Sequence, residues 1–225
     1  MRNILIILAF SMAALCVAAD NGNKEQYHIK GVLADGTEID GYNETALQNF
    51  MRPWVTEVCI SDSMGNNKNC YNSDELKVVW FTQLGADSIP VVYHAVKAQK
   101  RLPHLLNKNP KPYKKPVFLR LIYDGENVKG YIRPWLNQTL GNTMNMYNQT
   151  YMFYYLTKDS DIAVAYWDGT NDVTPSMRKV MKFFLREFPA LVEMIDRGEL
   201  TPEMFRSNPA IVLPLIDKTY DSKQK

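Results

Sequence analysis

The sequence predicts an α+β fold: a β-rich first half built of hairpins or a small barrel, then a second β unit carrying a helical C-terminal segment. Three observations predict it. Short β-forming runs alternate with Asp-Gly and Asn-rich turns between Tyr27 and Trp167. From Met177 onward, apolar residues recur every three or four positions. Two cysteines, Cys59 and Cys70, flank a turn-rich stretch in a chain that reads as exported. The 225 residues are 46% hydrophobic and 22% charged, which excludes wholesale disorder, collagen-like repeats and long coiled coil. A formal charge of +2 is so near balance that whole-chain electrostatics identify no partner.

Residues 1–19 read as a secretory signal peptide. Arg2 precedes an apolar stretch, Ile4 to Val17, broken only by Ser11, and Val17-Ala18-Ala19 places small residues before Asp20. The stretch falls short of the roughly 20 apolar residues of a membrane span. A lipoprotein would use Cys16, and bulky Leu15 directly before it argues against that. No later run approaches a span, so the mature chain is expected without a transmembrane segment, in the periplasm, outside the cell or at its surface. Residues 20–26 form a polar leader.

The first β-rich unit covers 27–96. Tyr27 to Ala34 and Thr37 to Tyr42 flank Asp35-Gly36, a strong hairpin signal. Asn43 to Met51 has helical spacing before Pro53. Val55 to Ile60 and Cys70-Tyr71 read as strands around Gly65-Asn66-Asn67, residues that tolerate positive φ. A hairpin there brings Cys59 and Cys70 together as one disulfide, since Cys16 leaves with the signal. Asn72 to Glu75 is a turn, and Leu76 to Phe81 another strand.

Residues 97–116 form a basic, proline-rich connection. The wider stretch 88–123 holds eight basic residues and no Asp or Glu. Its prolines forbid helix over 107–116 and make it extended. Lys97, Lys100, Arg101, Lys108, Lys111, Lys114 and Lys115 are the candidate anion-binding set; the competing reading is a solvated connection. Nucleic acid is disfavoured, because only Tyr113 and Phe118 lie nearby to stack on bases.

The second unit covers 117–225. Val117 to Tyr123 and Val128 to Ile132 flank Asp124-Gly125. Tyr151 to Leu156 and Ile162 to Trp167 form a further pair, and 137–149 reads as a loop. Thr174-Pro175 opens a helix whose apolar face runs from Met177 to Phe188. Pro189, Thr201-Pro202 and Pro209 each open another helix, with Gly198 a stop and Pro214 a kink in the last. Asp35-Gly-x-x-Ile-x-Gly-Tyr42 echoes Asp124-Gly-x-x-Val-x-Gly-Tyr131. Either a hairpin unit is duplicated, or exposed hairpins reuse the same residues for the same steric reasons.

No reaction is legible. His28, His94 and His104 make no helical metal pair, and zincin, Cys-x-x-Cys, Walker, dinucleotide and Gly-x-Ser-x-Gly patterns are missing. No metal site, cofactor or catalytic residue is assigned. Asp159, Asp161, Asp168 and Asp172 lack EF-hand spacing. A glycosidase needs only two carboxylates placed in space, and 24 acidic residues leave that pair open. Trp54 and Trp135 are the candidate stacking aromatics, with Trp80, Trp167, Tyr151, Phe153, Tyr154 and Tyr155 as further members of a platform or of a core.

The hairpin Asp35 to Tyr42, the Cys59 to Cys70 stretch, Asp74-Glu75 before Val78-Val79-Trp80-Phe81, and Phe183 to Val192 together resemble uncharacterised exported proteins of Bacteroidetes. The resemblance implies a periplasmic or surface location and carries no activity. The expectation is a non-catalytic binding or interaction module of the envelope, its partner an envelope protein or a glycan. A glycan- or peptide-acting hydrolase using unidentified carboxylates is the alternative.

Overall fold

The computed structural model describes residues 27–43, 56–63, 65–84, 89–100, 102, 109–138, 147–168 and 177–220, with backbone alone at 135–138 and 147–150. The strands are β1 (Tyr27–Leu33), β2 (Glu38–Asn43), β3 (Glu57–Ile60), β4 (Asn69–Asn72), β5 (Leu76–Gln83), β6 (Val91–Ala98), β7 (Val117–Asp124), β8 (Val128–Gln138), β9 (Tyr147–Thr157) and β10 (Ile162–Trp167). The helices are α1 (Met177–Phe184), α2 (Pro189–Arg197), α3 (Pro202–Ser207) and α4 (Val212–Thr219), with a 3₁₀ turn at Pro209–Ile211. The fold is α+β and β-rich.

One sheet runs β2-β1-β5-β6-β7-β8-β9-β10, and β10 curls back to pair with β6. Five strands, β6 to β10, therefore close into a barrel. An antiparallel meander with an odd number of strands can close only through a parallel pair. That seam aligns Ile162 with Lys97 and Ala163 with Ala98. Gln99 extends it: its amide donates to the Ala163 carbonyl at 2.9 Å, and its side-chain Oε1 accepts from the Ala165 amide at 3.3 Å. Gln99 is buried, so these bonds satisfy polar groups that water cannot reach.

Side-chain alternation assigns three cores. The barrel interior takes Ala98, Ala163 and Ala165 along the seam, with Leu119, Tyr131, Met152 and Tyr154 also inside. Small residues on the seam leave room for two tyrosine rings in a narrow barrel. The outer face of β8 to β10 presents Val128, Tyr155, Tyr166 and Trp167 to the helices. The far face of β2, β1, β5 and β6 presents Ile39, Ile29, Val79, Phe81 and Tyr93 to the β3–β4 hairpin. β6 thus serves both β units.

The hairpin bears the predicted disulfide. Cys59 and Cys70 face each other in the β3–β4 register and are bonded. In the loop between them, Gly65 and Asn67 take the left-handed conformation at φ 79° and 53°, and Asp62 accepts from the Asn66 amide at 2.8 Å. From the basic connection, residues 109–116 form no helix, as their prolines demand, and Pro112 bridges Gln99. Tyr113 donates its amide to the Ala98 carbonyl at 2.9 Å, continuing the ladder of β6.

Several boundaries differ from expectation. β8 and β9 take over both ends of the stretch read as a loop, leaving only 139–146 between them, because their register continues to Gln138 and Tyr147. α1 stops at Phe184, and Leu185 to Phe188 turn the chain toward Pro189. Pro214 does not kink α4, since it lies in the first turn, where a missing N–H breaks no helical bond. The helix read over Asn43 to Met51, and residues 1–26, lie outside the described residues.

The echoed motif forms a hairpin in both places, β1–β2 and β7–β8. Gly36 has φ 92°, whereas Gly125 is needed for closeness: a Cβ there would lie 2.5 Å from the Asp217 carboxylate. That carboxylate docks α4 on the β7–β8 turn. It accepts from the Asn127 amide at 2.6 Å, the Val128 amide at 3.1 Å and the Tyr123 hydroxyl at 3.0 Å.

Three stability predictions follow from these contacts. Reducing Cys59–Cys70 should lower unfolding free energy by roughly 3 kcal/mol, read as a lower denaturant midpoint. Asp217→Ala should cost about 3 kcal/mol by orphaning several donors, against about 0.5 kcal/mol or less for exposed Asp161→Ala; denaturant titration separates them. Tyr123 is pushed up to about 12, by burial first and then by Asp217. A group raised on folding adds stability below its unfolded value of 10.0 and loses it as pH climbs through about 12. Tyrosinate absorbance and loss of structure should rise together over that window.

Candidate functional site

Two depressions and the barrel's two ends gather the polar side chains. The first depression is a cleft of about 440 Å³ between β9, β10 and the turn joining α1 to α2. Its floor is apolar, with Tyr155, Val164 and Phe188. Its polar groups are already engaged within the protein. Tyr155 donates to Glu187 at 3.3 Å, Arg186 to the Phe183 carbonyl at 2.8 Å, Ser160 to the Ile162 carbonyl at 3.1 Å, and Thr219 to the Leu215 carbonyl at 2.7 Å. Tyr220, at the rim, donates to Asp159 at 2.8 Å. Burial, and then Glu187, push the Tyr155 hydroxyl well above its ordinary value, so it stays a neutral donor. Among the described residues, Glu187 is the only carboxylate lining this cleft, and Tyr155 holds it.

The second depression, about 610 Å³, lies on the open face of β1, β2 and β5. Alternation puts Tyr27, Ile29 and Gly31 on the hairpin side, leaving His28, Lys30 and Val32 on this one. The register sets Trp80 beside Lys30 and Thr82 beside His28. Asp40, from β2, accepts from His28 Nε2 at 2.7 Å, with Lys30 Nζ 3.9 Å from its other oxygen. The His28 ring also packs on Tyr42, centroids 5.3 Å apart. Trp80 is half-buried, and among the described residues its ring meets no aromatic or cationic partner. Trp167, by contrast, is buried edge-on against Phe205 at 5.0 Å. Glu38 and the Thr82 hydroxyl, both lining the groove, make no side-chain hydrogen bond or ion pair among the described residues.

At one barrel end, His94 Nδ1 lies 3.0 Å from the Tyr131 hydroxyl. Burial, aided by Lys129 and Lys77 and opposed by Asp124, lowers its pKa below the ordinary 6.5. At the other end, Tyr113 is sandwiched by cations: Arg133 sits 4.9 Å and Lys100 5.8 Å from its ring centre. Arg133 is buried, and its charge offsets part of the burial that raises Tyr154.

Of the candidate basic residues, the bridge between Gln99 and Pro112 brings Lys100 beside Lys111. Lys97, Lys100, Lys111 and Lys114 are exposed, while Lys115 is ion-paired to Asp74. Arg101 and Lys108 lie outside the described residues. So do Trp54 and the side chain of Trp135. Among the further aromatics, Trp167, Tyr154 and Tyr155 are core, and Trp80 lines the groove. Sequence reasoning missed Glu38, Asp40, Thr82 and the His28–Asp40 pair. Their signal was the polar half of an alternating strand, which marks an outward face without saying what covers it.

Among the described residues there is no cluster of three or more metal-ligating side chains, and no helix is long and apolar enough to cross a membrane. The chain matches no protein-family model, no curated protein and no solved structure.

His94 gives a testable pH dependence. A base whose folded pKa is depressed contributes stability above its unfolded value and loses it as pH falls through the folded one. The thermal midpoint should therefore fall as pH drops below 6.5. His94→Gln should flatten that dependence in parallel melts.

Proposed function

We propose that this chain is a non-catalytic binding module of an exported, oxidising compartment, with its ligand lying on the open face of β2, β1 and β5. The observation that carries this reading is Trp80. It offers an aromatic ring on β5 with no ring or cation partner among the described residues, beside a hydroxyl and a carboxylate that have no side-chain partner among them. Binding sites combine an apolar surface with a few unsatisfied polar groups, and this groove has both. The helix-side cleft has the apolar surface, but its polar groups are spent on the protein itself.

The disulfide supports the compartment, because such bonds persist where thiols are not kept reduced. The signal-like first 19 residues agree with it.

Hydrolysis is the competing reading, drawn from Glu38 and Asp40 in the same groove. These two stand on one strand, two residues apart, so both project from the same side. Asp40 is committed to His28 and Lys30. A glycosidase needs two carboxyl groups flanking the scissile bond, and this arrangement leaves one carboxylate free.

The test compares the mature protein and Trp80→Ala, each immobilised, for retention of labelled envelope material. The wild type should retain ligand without cleaving it, and the variant should lose most of that retention. Equal retention by both proteins would sink the binding face. Turnover of a labelled glycan library that Glu38→Gln abolishes would move the protein to the hydrolases.

A further inference from the structure

Resting on that assignment of the face, we infer that the ligand is an uncharged glycan chain. The argument is one of charge and shape. The groove carries Lys30 against Glu38 and Asp40, and His28 is bound to Asp40. Lys30 stands against two carboxylates, so an acidic polymer meets carboxylates there rather than a cationic cradle. A cationic ligand is the next class to consider. Quaternary and methylated ammonium groups are held by cages of several rings. Among the described residues no second ring joins Trp80 here, and Tyr42 packs on His28 instead.

A neutral sugar fits what remains. The face of a pyranose is a plate of C–H groups that packs on the negative face of an aromatic ring. Its hydroxyls need partners that both donate and accept. Thr82 Oγ1 does both, Lys30 Nζ donates, and the Glu38 carboxylate can accept from two neighbouring hydroxyls. These groups spread over β2, β1 and β5, roughly 10 Å across at ordinary strand spacing. That span suits an extended chain crossing the strands better than a single compact molecule. Val32 and Pro90 supply apolar lining beside the ring.

The experiment is affinity electrophoresis of the mature chain through gels containing soluble neutral polysaccharides (a β-glucan, an α-glucan, a xylan and a galactomannan), with polygalacturonate as the acidic counterpart. At least one neutral polymer should retard the wild type. Trp80→Ala should weaken that retardation by about tenfold or more, the scale expected for losing a central tryptophan anchor. Trp80→Phe should keep part of it, and Thr82→Val should fall between. Trp80 is only half-buried on an open face, so an unchanged melting midpoint checks that these variants remain folded.

Retardation by polygalacturonate alone, retardation that survives Trp80→Ala, or no retardation by any neutral polymer would each overturn the inference. If no neutral polymer binds, but envelope material is still retained by the wild type and lost by Trp80→Ala, the face stands and the glycan falls. If that material is a cationic protein, the charge argument is what failed. If neither assay depends on Trp80, both readings fall together.

Discussion

The parallel seam between β6 and β10 is the constraint on which the other features depend. It is short, with two aligned residue pairs reinforced by Gln99. Without it, β10 would be a free edge of the eight-stranded sheet, and the face that becomes the barrel interior would be unfilled. With it, the inner faces of β6 to β10 become a core, and the outer face of β8 to β10 becomes the surface that the helices must cover. The closure also decides what stays open. Val78 aligns with His94 and Trp80 with Val92, so the groove face continues the barrel's inner face beyond β6. Where the sheet curls, that face is buried. Where β5, β1 and β2 extend past the barrel, it is exposed.

Two layers meet this sheet from outside, and each needs glycine to come close. Gly41 lies under the hairpin side, where a Cβ would approach the Ser61 carbonyl to 2.8 Å. Gly130 lies under α4, where a Cβ would collide with the Leu213 side chain. These are the second glycines of the two echoed hairpins. Their shared requirement is a flat spot for a covering layer, whether or not the two arose from one unit. The turns themselves are built differently: one relies on a left-handed glycine, the other on the Asp217 carboxylate packed against its turn.

Polar satisfaction separates the two depressions more sharply than size does. Both mix apolar and polar lining, and the groove is the larger, about 610 against 440 Å³. In the helix-side cleft, tyrosine, serine, threonine and arginine side chains close on carbonyls and carboxylates of the fold, so a ligand there would have to displace bonds already made. On the open sheet, the Glu38 carboxylate and the Thr82 hydroxyl face outward beside the Trp80 indole. Surface placement costs those groups nothing while water solvates them, and it leaves them available to a ligand.

Local patterns determined a good deal about this protein. Asp-Gly turns, alternating strands, the Cys59 to Cys70 hairpin and the 3.6-residue period after Met177 each depend on neighbours within a few residues, so the strands, the disulfide and the helices were legible before any tertiary contact. Tertiary structure alone decided that β10 returns to β6, that α4 locks the β7–β8 turn through Asp217, and that Trp80 is half-buried in the groove while Trp167 is core. A tryptophan in a strand has the same local signature on either face. Which face is covered is set by partners from other elements, such as Phe205 on α3 for Trp167, and the strand's own sequence does not contain them.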